Sequence, residues 1–490
     1  MFWRTQPDII LGSTAHPLPF PRMRLQGKDR SVHASVWGTT GAGKSKLLQS
    51  VFTQLASSEG GVGMIEPHHD LSYESLTWLL GNGFFRDRRA FERLVYLDFG
   101  NGGYVPFNVL KTRHDPHTTA LNALEAMLRV WPELTVAPMF QTLFLSSMIT
   151  LIANDLPITY LYPLLSDPAF RQACLARVHD PLVLQSFDHF DQLKRDQASL
   201  AGSTLRRAFL LLFSPVARYS FGQPDNWLDF RGLMDRGAIV ILNLGNIQDH
   251  DTQRLIGAML MVQIEQAALS RTDLPPHQRT PFTLLVDEWP SFAGQDDTIG
   301  TILSQARKYN LRLWLAAQSL AQISSRRLAG ALENCRLNIA FGLGRDSAEV
   351  QARHVGTTDP MAIKDEAKYQ QQHPQFFSVP EQWESWTRDL QTLEPRMAYV
   401  KLHHKPAVRI RTLTVKQPKV APEKIAGVLA EYRRRYQRTR QEAEAAIRQL
   451  AVPGDNPFSL SNVQSGQPCQ QRRYNNPVDL SAWEEKRGGR

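Results

Sequence analysis

Gly38-Thr39-Thr40-Gly41-Ala42-Gly43-Lys44-Ser45 fits the pattern GxxxxGK[ST], and its setting constrains the fold more than any other feature of the chain. The apolar run at 32–36 reads as a strand feeding straight into this turn, and residues 44–57 read as a helix leaving it. Strand, Gly-rich turn and helix in that order belong to a parallel α/β sheet. The glycines let the backbone wrap a phosphate with its N–H groups turned inward, and the helix N-terminus adds partial positive charge. Lys44 suits the β- and γ-phosphates of ATP, and the Ser45 hydroxyl suits Mg²⁺.

Further strand-like runs lie at 62–65, 94–99, 238–244, 282–286, 311–317 and 338–343, and helical patterns separate most of them. One interval breaks the alternation. Residues 117–232 carry only helical patterns, too long for a loop, and read as an all-helical domain inserted into the sheet. The division expected is therefore a strand and loop lead-in at 1–30, a core at 31–116 and 233–415, the insertion at 117–232, a basic helical extension at 416–451 and a disordered tail at 452–490. Runs at 398–402 and 408–415 flank His403-His404-Lys405-Pro406 and read as a hairpin that closes the core.

The second chemical motif is Phe282-Thr283-Leu284-Leu285-Val286-Asp287-Glu288. A buried strand of this kind delivers Asp287 to the carboxyl edge of the sheet, where ligands bind in open α/β folds. Asp287 suits the Mg²⁺ shell and Glu288 suits the polarising of an attacking water, a pairing that points to hydrolysis. Gln318, at the end of the 311–317 strand, either orients that water or is only a polar strand end. Arg307 either completes a neighbouring subunit's site as an arginine finger or is a surface residue, and Arg345 is the second finger candidate. Asp346 and Glu349 read as a helix cap. Glu66-Pro67-His68-His69-Asp70 places two imidazoles among carboxylates; hydrogen bonding near the nucleotide is favoured over a metal site, since no further ligand cluster accompanies it.

Composition narrows the setting. Cys174, Cys335 and Cys469 are scattered, with no CxxC pair, which fits a reducing cytoplasm. The most membrane-like stretch, 137–153, is shorter and more polar than the roughly 20 apolar residues of a span. A buried helix is expected there and no integral membrane segment. The formal charge is +9, and residues 401–450, with 13 Lys/Arg against four Glu, carry all of the excess. Such a segment points to an anionic partner, DNA or a membrane surface, or else to a solvated charged helix.

Taken in order, the P-loop, Glu66-Pro67-His68-His69-Asp70-Leu71, Val95-Tyr96-Leu97-Asp98-Phe99 leading to Pro106-Phe107-Asn108, Leu284-Leu285-Val286-Asp287-Glu288, Ala306-Arg307-Lys308-Tyr309 and Ala316-Ala317-Gln318 resemble the FtsK–HerA superfamily of DNA-pumping ATPases. Within it the chain is most similar to the coupling-protein-like ATPases of type IV secretion and conjugation, from about residue 8 to 450. The resemblance implies a RecA-like core with a helical insertion, a homo-oligomeric ring (by family habit a hexamer) and DNA in its channel. Lys44, Ser45, Asp287, Glu288 and Gln318 would then be the nucleotide machinery, with Arg307 acting in trans. It implies a cytoplasmic DNA-transfer motor, compatible with peripheral attachment at the inner membrane and with a secretion-channel or nuclease partner. The alternative is a nucleotide-switched DNA- or protein-binding module that does not translocate. Two departures stand out. Glu66 and His69 occupy positions where the family usually has Asp and Gly, and the N-terminal spans of membrane-anchored coupling proteins have no counterpart in this sequence.

Overall fold

The computed structural model describes residues 8–14, 21–58, 60–87, 89–192, 195–293, 303, 305–319, 332–364 and 376–453. Most of the tail expected to be disordered, with Cys469, and the first residues of the lead-in lie outside these. A single sheet of 11 strands organises the chain. Its parallel part comprises, side by side, β9 (Leu337–Ala340), β3 (Ala34–Trp37), β8 (Leu311–Ala317), β7 (Phe282–Val286), β4 (Gly61–Glu66), β6 (Ile239–Asn243) and β5 (Leu94–Asp98). These strands are short, apolar and almost wholly buried, as strands covered on both faces must be.

The other flank is antiparallel. The hairpin strands β10 (Met397–Leu402) and β11 (Val408–Thr412) pair with each other, and β10 pairs with β9. Beyond β11 lie β1 (Ile9–Thr14) and β2 (Arg22–Leu25), so the N-terminal segment forms the outer edge of the sheet and is part of it. The full order is β2-β1-β11-β10-β9-β3-β8-β7-β4-β6-β5. The run expected to be a strand over 338–343 leaves the sheet after Ala340. Gly342 turns its carbonyl to the P-loop instead, accepting from the Thr39 N–H at 2.9 Å.

Between β5 and β6 the described helices run from Pro116–Val130 to Phe230–Asp235. Proline at the first turn with Asp115, Asp167, Asp180 or Ser214 at the N-cap starts four of them, the side chain capping the free N–H groups. This helical layer shares its core with the sheet: Phe140, Phe144 and Leu161 belong to the same buried cluster as Trp37, Ile65 and Leu97. Helix Pro138–Ala153 buries Phe140, Leu143, Phe144, Met148 and Leu151 against it. Among the described residues no helix is long and apolar enough to cross a membrane.

A buried ion pair joins the layers. Arg129, on helix Pro116–Val130, donates to Glu265 at 3.0 Å on helix His250–Leu269, and also to Glu125. Burial pushes the Glu265 carboxyl up to about 7 despite the guanidinium beside it. An unfolded glutamate ionises near about 4.3. Between that value and about 7 the folded chain therefore holds a proton that the unfolded chain has released, and stability falls as pH rises through the window. Thermal melts of the intact protein across this window should show the loss, and Glu265→Gln should flatten it. Parallel profiles for the two proteins would mean that Glu265 is ionised in the fold throughout.

The basic extension is two helices, Pro422–Tyr436 and Arg440–Arg448, in place of the single one expected. Gln437 turns extended, Arg438 pairs its backbone with Tyr104, and Thr439 with Glu442 forms a capping box that restarts the helix.

Candidate nucleotide site

The carboxyl ends of the parallel strands lie level, because Trp37 pairs with Ala317, Val286 with Leu315, Ile65 with Val286, and Glu66 and Asp98 both with Asn243. Lys44, Gln318, Asp287, Glu288, His68 and His69 all follow these ends, which assembles the site along one edge.

The P-loop needs its glycines at particular places. Gly43 has φ +118°, open to few other residues, and a Cβ on Gly38 would fall 2.7 Å from the Phe341 Cβ. The loop is braced from outside: Ala42 O accepts from the Arg396 N–H at 2.8 Å, and Thr39 is held by Gly342. Neither support has a signal in the sequence, since both depend on β9 and β10 lying beside the loop.

Lys44 begins helix Lys44–Ala56 and is buried. Its ammonium donates to Gly38 O at 2.7 Å and Thr39 O at 3.3 Å, and stands 3.9 Å from Glu288 Oε1. Burial lowers its pKa, while Glu288 and Asp287 oppose the shift. The Ser45 hydroxyl donates to Asp287 Oδ2 at 3.0 Å. An exposed hydroxyl and a buried carboxylate in contact form an all-oxygen pair suited to Mg²⁺.

Glu288 is 7% exposed and sits at φ +47°, an uncommon conformation for a side-chain-bearing residue. That turn carries the chain out of β7, and Glu288 then stands beside Lys44. Burial raises its pKa, against hydrogen bonding from Gln318 and the charge of Lys44. Gln318 Oε1 also accepts from the Thr40 hydroxyl at 3.2 Å. It therefore bridges the P-loop and Glu288.

The remaining candidates separate from this cluster. Arg307 lies in the short turn Ala306–Tyr309 that precedes β8, so it stands at the amino edge of the sheet, roughly 20 Å from the carboxyl edge for a strand of seven residues. Its charge acts there on the buried His33, just before β3. Arg307 thus cannot serve the P-loop of its own chain. Arg345 pairs with Glu349 at 2.7 Å and Glu384 at 2.7 Å within the same chain. The expected cap by Asp346 and Glu349 does not form: Gly344 is the N-cap of helix Arg345–Val355, without a side-chain cap bond, and Glu349 is taken by Arg345.

The turn after β4 divides. Glu66 accepts from the N–H of Leu71, at 2.7 Å, and of Ser72, and so caps helix Asp70–Gly81 from within the core. His68 is near enough to Glu288 to favour its charged form. His69 takes φ +75°, a conformation open most readily to glycine, and its Nδ1 meets Asn243 Nδ2 at 2.6 Å. Asn243 and Asn246 in turn donate to the buried Asp98. No local pattern signals this network, which draws on the ends of three strands. Among the described residues no group of three His, Cys, Asp or Glu could hold a metal ion.

Residues 281–396 match the family described as the TraM recognition site of TraD and TraG. No curated protein matches the chain. Among solved structures, the unbound bacterial conjugative coupling protein TrwB is similar at a TM-score of 0.55 and 15% identity, over 86% of this chain and 96% of that one. TrwB in complex with ADP and Mg²⁺ gives a TM-score of 0.55 at 14% identity, over 86% and 98%. TrwB with a non-hydrolysable GTP analogue gives 0.53 at 15%, over 81% and 89%. At such identities the likeness is one of fold. The TraD/TraG match spans β7, β8 and β9 and ends just before β10, and over most of the chain the fold is shared with TrwB.

Proposed function

We propose that the chain is an ATP-hydrolysing DNA-transfer motor that works as a ring of identical subunits, in conjugation or a related transfer of mobile DNA. The observation that carries the reading is the cluster at the carboxyl edge: Ser45 on Asp287, Glu288 beside Lys44, and Gln318 joining Glu288 to the P-loop. The P-loop backbone and Lys44 hold the phosphates of ATP. Ser45 and Asp287 hold Mg²⁺, which when bound neutralises phosphate charge. Glu288 accepts the proton of the attacking water, and Gln318 fixes the orientation of Glu288. The TraD/TraG match and the fold shared with a conjugative coupling protein support DNA as the cargo.

The test is the steady-state ATPase rate of the intact protein with and without long single- and double-stranded DNA, beside Lys44→Ala. Stimulation by DNA in the wild type, and turnover lost in Lys44→Ala, are the expected results. A slow rate indifferent to DNA would overturn the motor reading and favour a nucleotide-switched binding module.

A further inference from the structure

The basic C-terminal segment does not act as one unit. Several arginines of the two terminal helices and the turn between them are paired within the chain: Arg434 and Arg435 share Glu431, Arg440 and Arg448 share Glu444, and Arg438 meets Asp225. Of the other cations of this segment, Lys401, Lys405, Arg409 and Arg411 lie in the hairpin before them, and Lys416, Lys419, Lys424 and Arg433 lie beyond it. Lys401 follows Tyr399 by two residues on β10, and Tyr399 and Met397 pair with Arg409 and Arg411 on β11. Lys401, Arg409 and Arg411 therefore project from one face of the sheet. The alternate residues Ala398, Val400, Leu402 and Ile410 point the other way, into the core with Leu47 and Val51.

That face continues in both directions. Toward β2, Arg411 pairs with Ser13, which pairs with the exposed Arg22. Toward β9, Lys401 pairs with Asn338, and the two line a groove of about 570 Å³ with Arg336, His354, His403 and His404. Among the described residues lining that groove there is no carboxylate. Among the described residues, the acids that approach the face include Asp29, on His403 and Lys405, Asp389, which accepts from the Tyr399 hydroxyl, and Asp8, on Arg24 of β2. Arg336, Lys401, Arg409 and Arg411 form no ion pair among the described residues.

We propose that this face, from the groove at β9 across β10 and β11 to β2, is a docking surface for the phosphate backbone of DNA. The proposal rests on the DNA-motor reading and names a contact region for it. Charge complementarity chooses the partner: cations are set out along the face with few acids, on either side of Tyr399, which is buried against Trp386, and this matches a polyanion rather than a protein interface. Four strand spacings from β9 to β2 cover roughly 20 Å, enough to meet several phosphates placed about 3.4 Å apart along a strand of duplex. The surface reads no sequence, because lysine and arginine on phosphate oxygens hold position without touching base edges.

The experiment measures affinity of the intact protein for duplexes of unrelated sequence by fluorescence anisotropy across a salt series. The variant is Arg336→Ala/Lys401→Ala/Arg409→Ala/Arg411→Ala. The charge-matched control is Arg434→Ala/Arg435→Ala/Arg440→Ala/Arg448→Ala, on the terminal helices. For the first, affinity near about 100 mM salt should fall at least about tenfold on every sequence, and the slope of log K against log salt should shrink by about 3 to 4. The control should keep most of both, and the ATPase rate without DNA should be unchanged in each. Wild-type-like affinity and slope in the first variant would overturn the docking surface while leaving the motor reading intact. A loss of ring assembly with DNA affinity kept would overturn it in favour of a subunit contact. A wild type that binds no DNA would remove both readings.

Discussion

Replacing Glu288 by glutamine is expected to slow ATP turnover about 10²–10⁴-fold, the range for removal of a positioned general base, with nucleotide binding kept. Three features of the residue lead to this. It is buried beside Lys44, so its charge is not screened by water. It is steered by Gln318, which also touches the P-loop at Thr40. And it occupies a left-handed turn that places a carboxylate where a regular continuation of β7 would not. Glutamine preserves shape and hydrogen bonding but cannot take the proton. The raised pKa of Glu288 adds a pH signature: a base must be ionised, so the acidic limb of the wild-type rate profile should lie above the ordinary glutamate value and vanish in Glu288→Gln. Equilibrium binding of a fluorescent ATP analogue, beside single-turnover hydrolysis, separates the two steps. A variant that hydrolyses at the wild-type rate would remove Glu288 from the chemistry.

Arg307→Ala should cost more, about 10³–10⁵ in rate if it is the arginine finger of a neighbouring subunit. Its position at the amino edge, before β8, rules out service to its own P-loop, so any catalytic role must be in trans. Mixing provides the decisive readout. Arg307→Ala and Lys44→Ala subunits are each expected to be inactive alone, and in the proposed ring a mixture would join an intact P-loop from the first to an intact Arg307 from the second. Partial recovery of turnover on mixing is expected, and its absence in rings shown to be mixed would refute the trans role. Arg345→Ala serves as the comparison. That side chain is held by Glu349 and Glu384, an exposed cluster worth little to stability, and turnover should stay within a few-fold of wild type.

Much of the site is legible in the sequence because its chemistry is local. Eight consecutive residues specify the P-loop, and five apolar-rich residues ahead of Asp287-Glu288 specify a buried strand with acids at its end. The alternation of apolar runs with helical patterns requires a parallel sheet, and β7 and β8 have the bounds that their composition marks. Gln318 is legible as a strand end. Its bond to Thr40, however, joins residues 278 apart in sequence and needs β3 and β8 to be neighbours.

Short-range patterns thus settle which segments are strands, which turn holds phosphate and which acids follow the buried strand. Everything that depends on which strands meet lies beyond them and emerges only in the folded chain. Pairing of β1 with β11 turns an apparent lead-in into a sheet edge and sets Arg22 in line with Arg411. The direction of β8 sends Arg307 to the far edge from Lys44. Asp225 meets Arg438 and ties the turn between the terminal helices to the segment ahead of β6. The physical reason is the same in each case. Strand pairing and the longer ion pairs join residues hundreds of positions apart, and no local pattern encodes the partner of either.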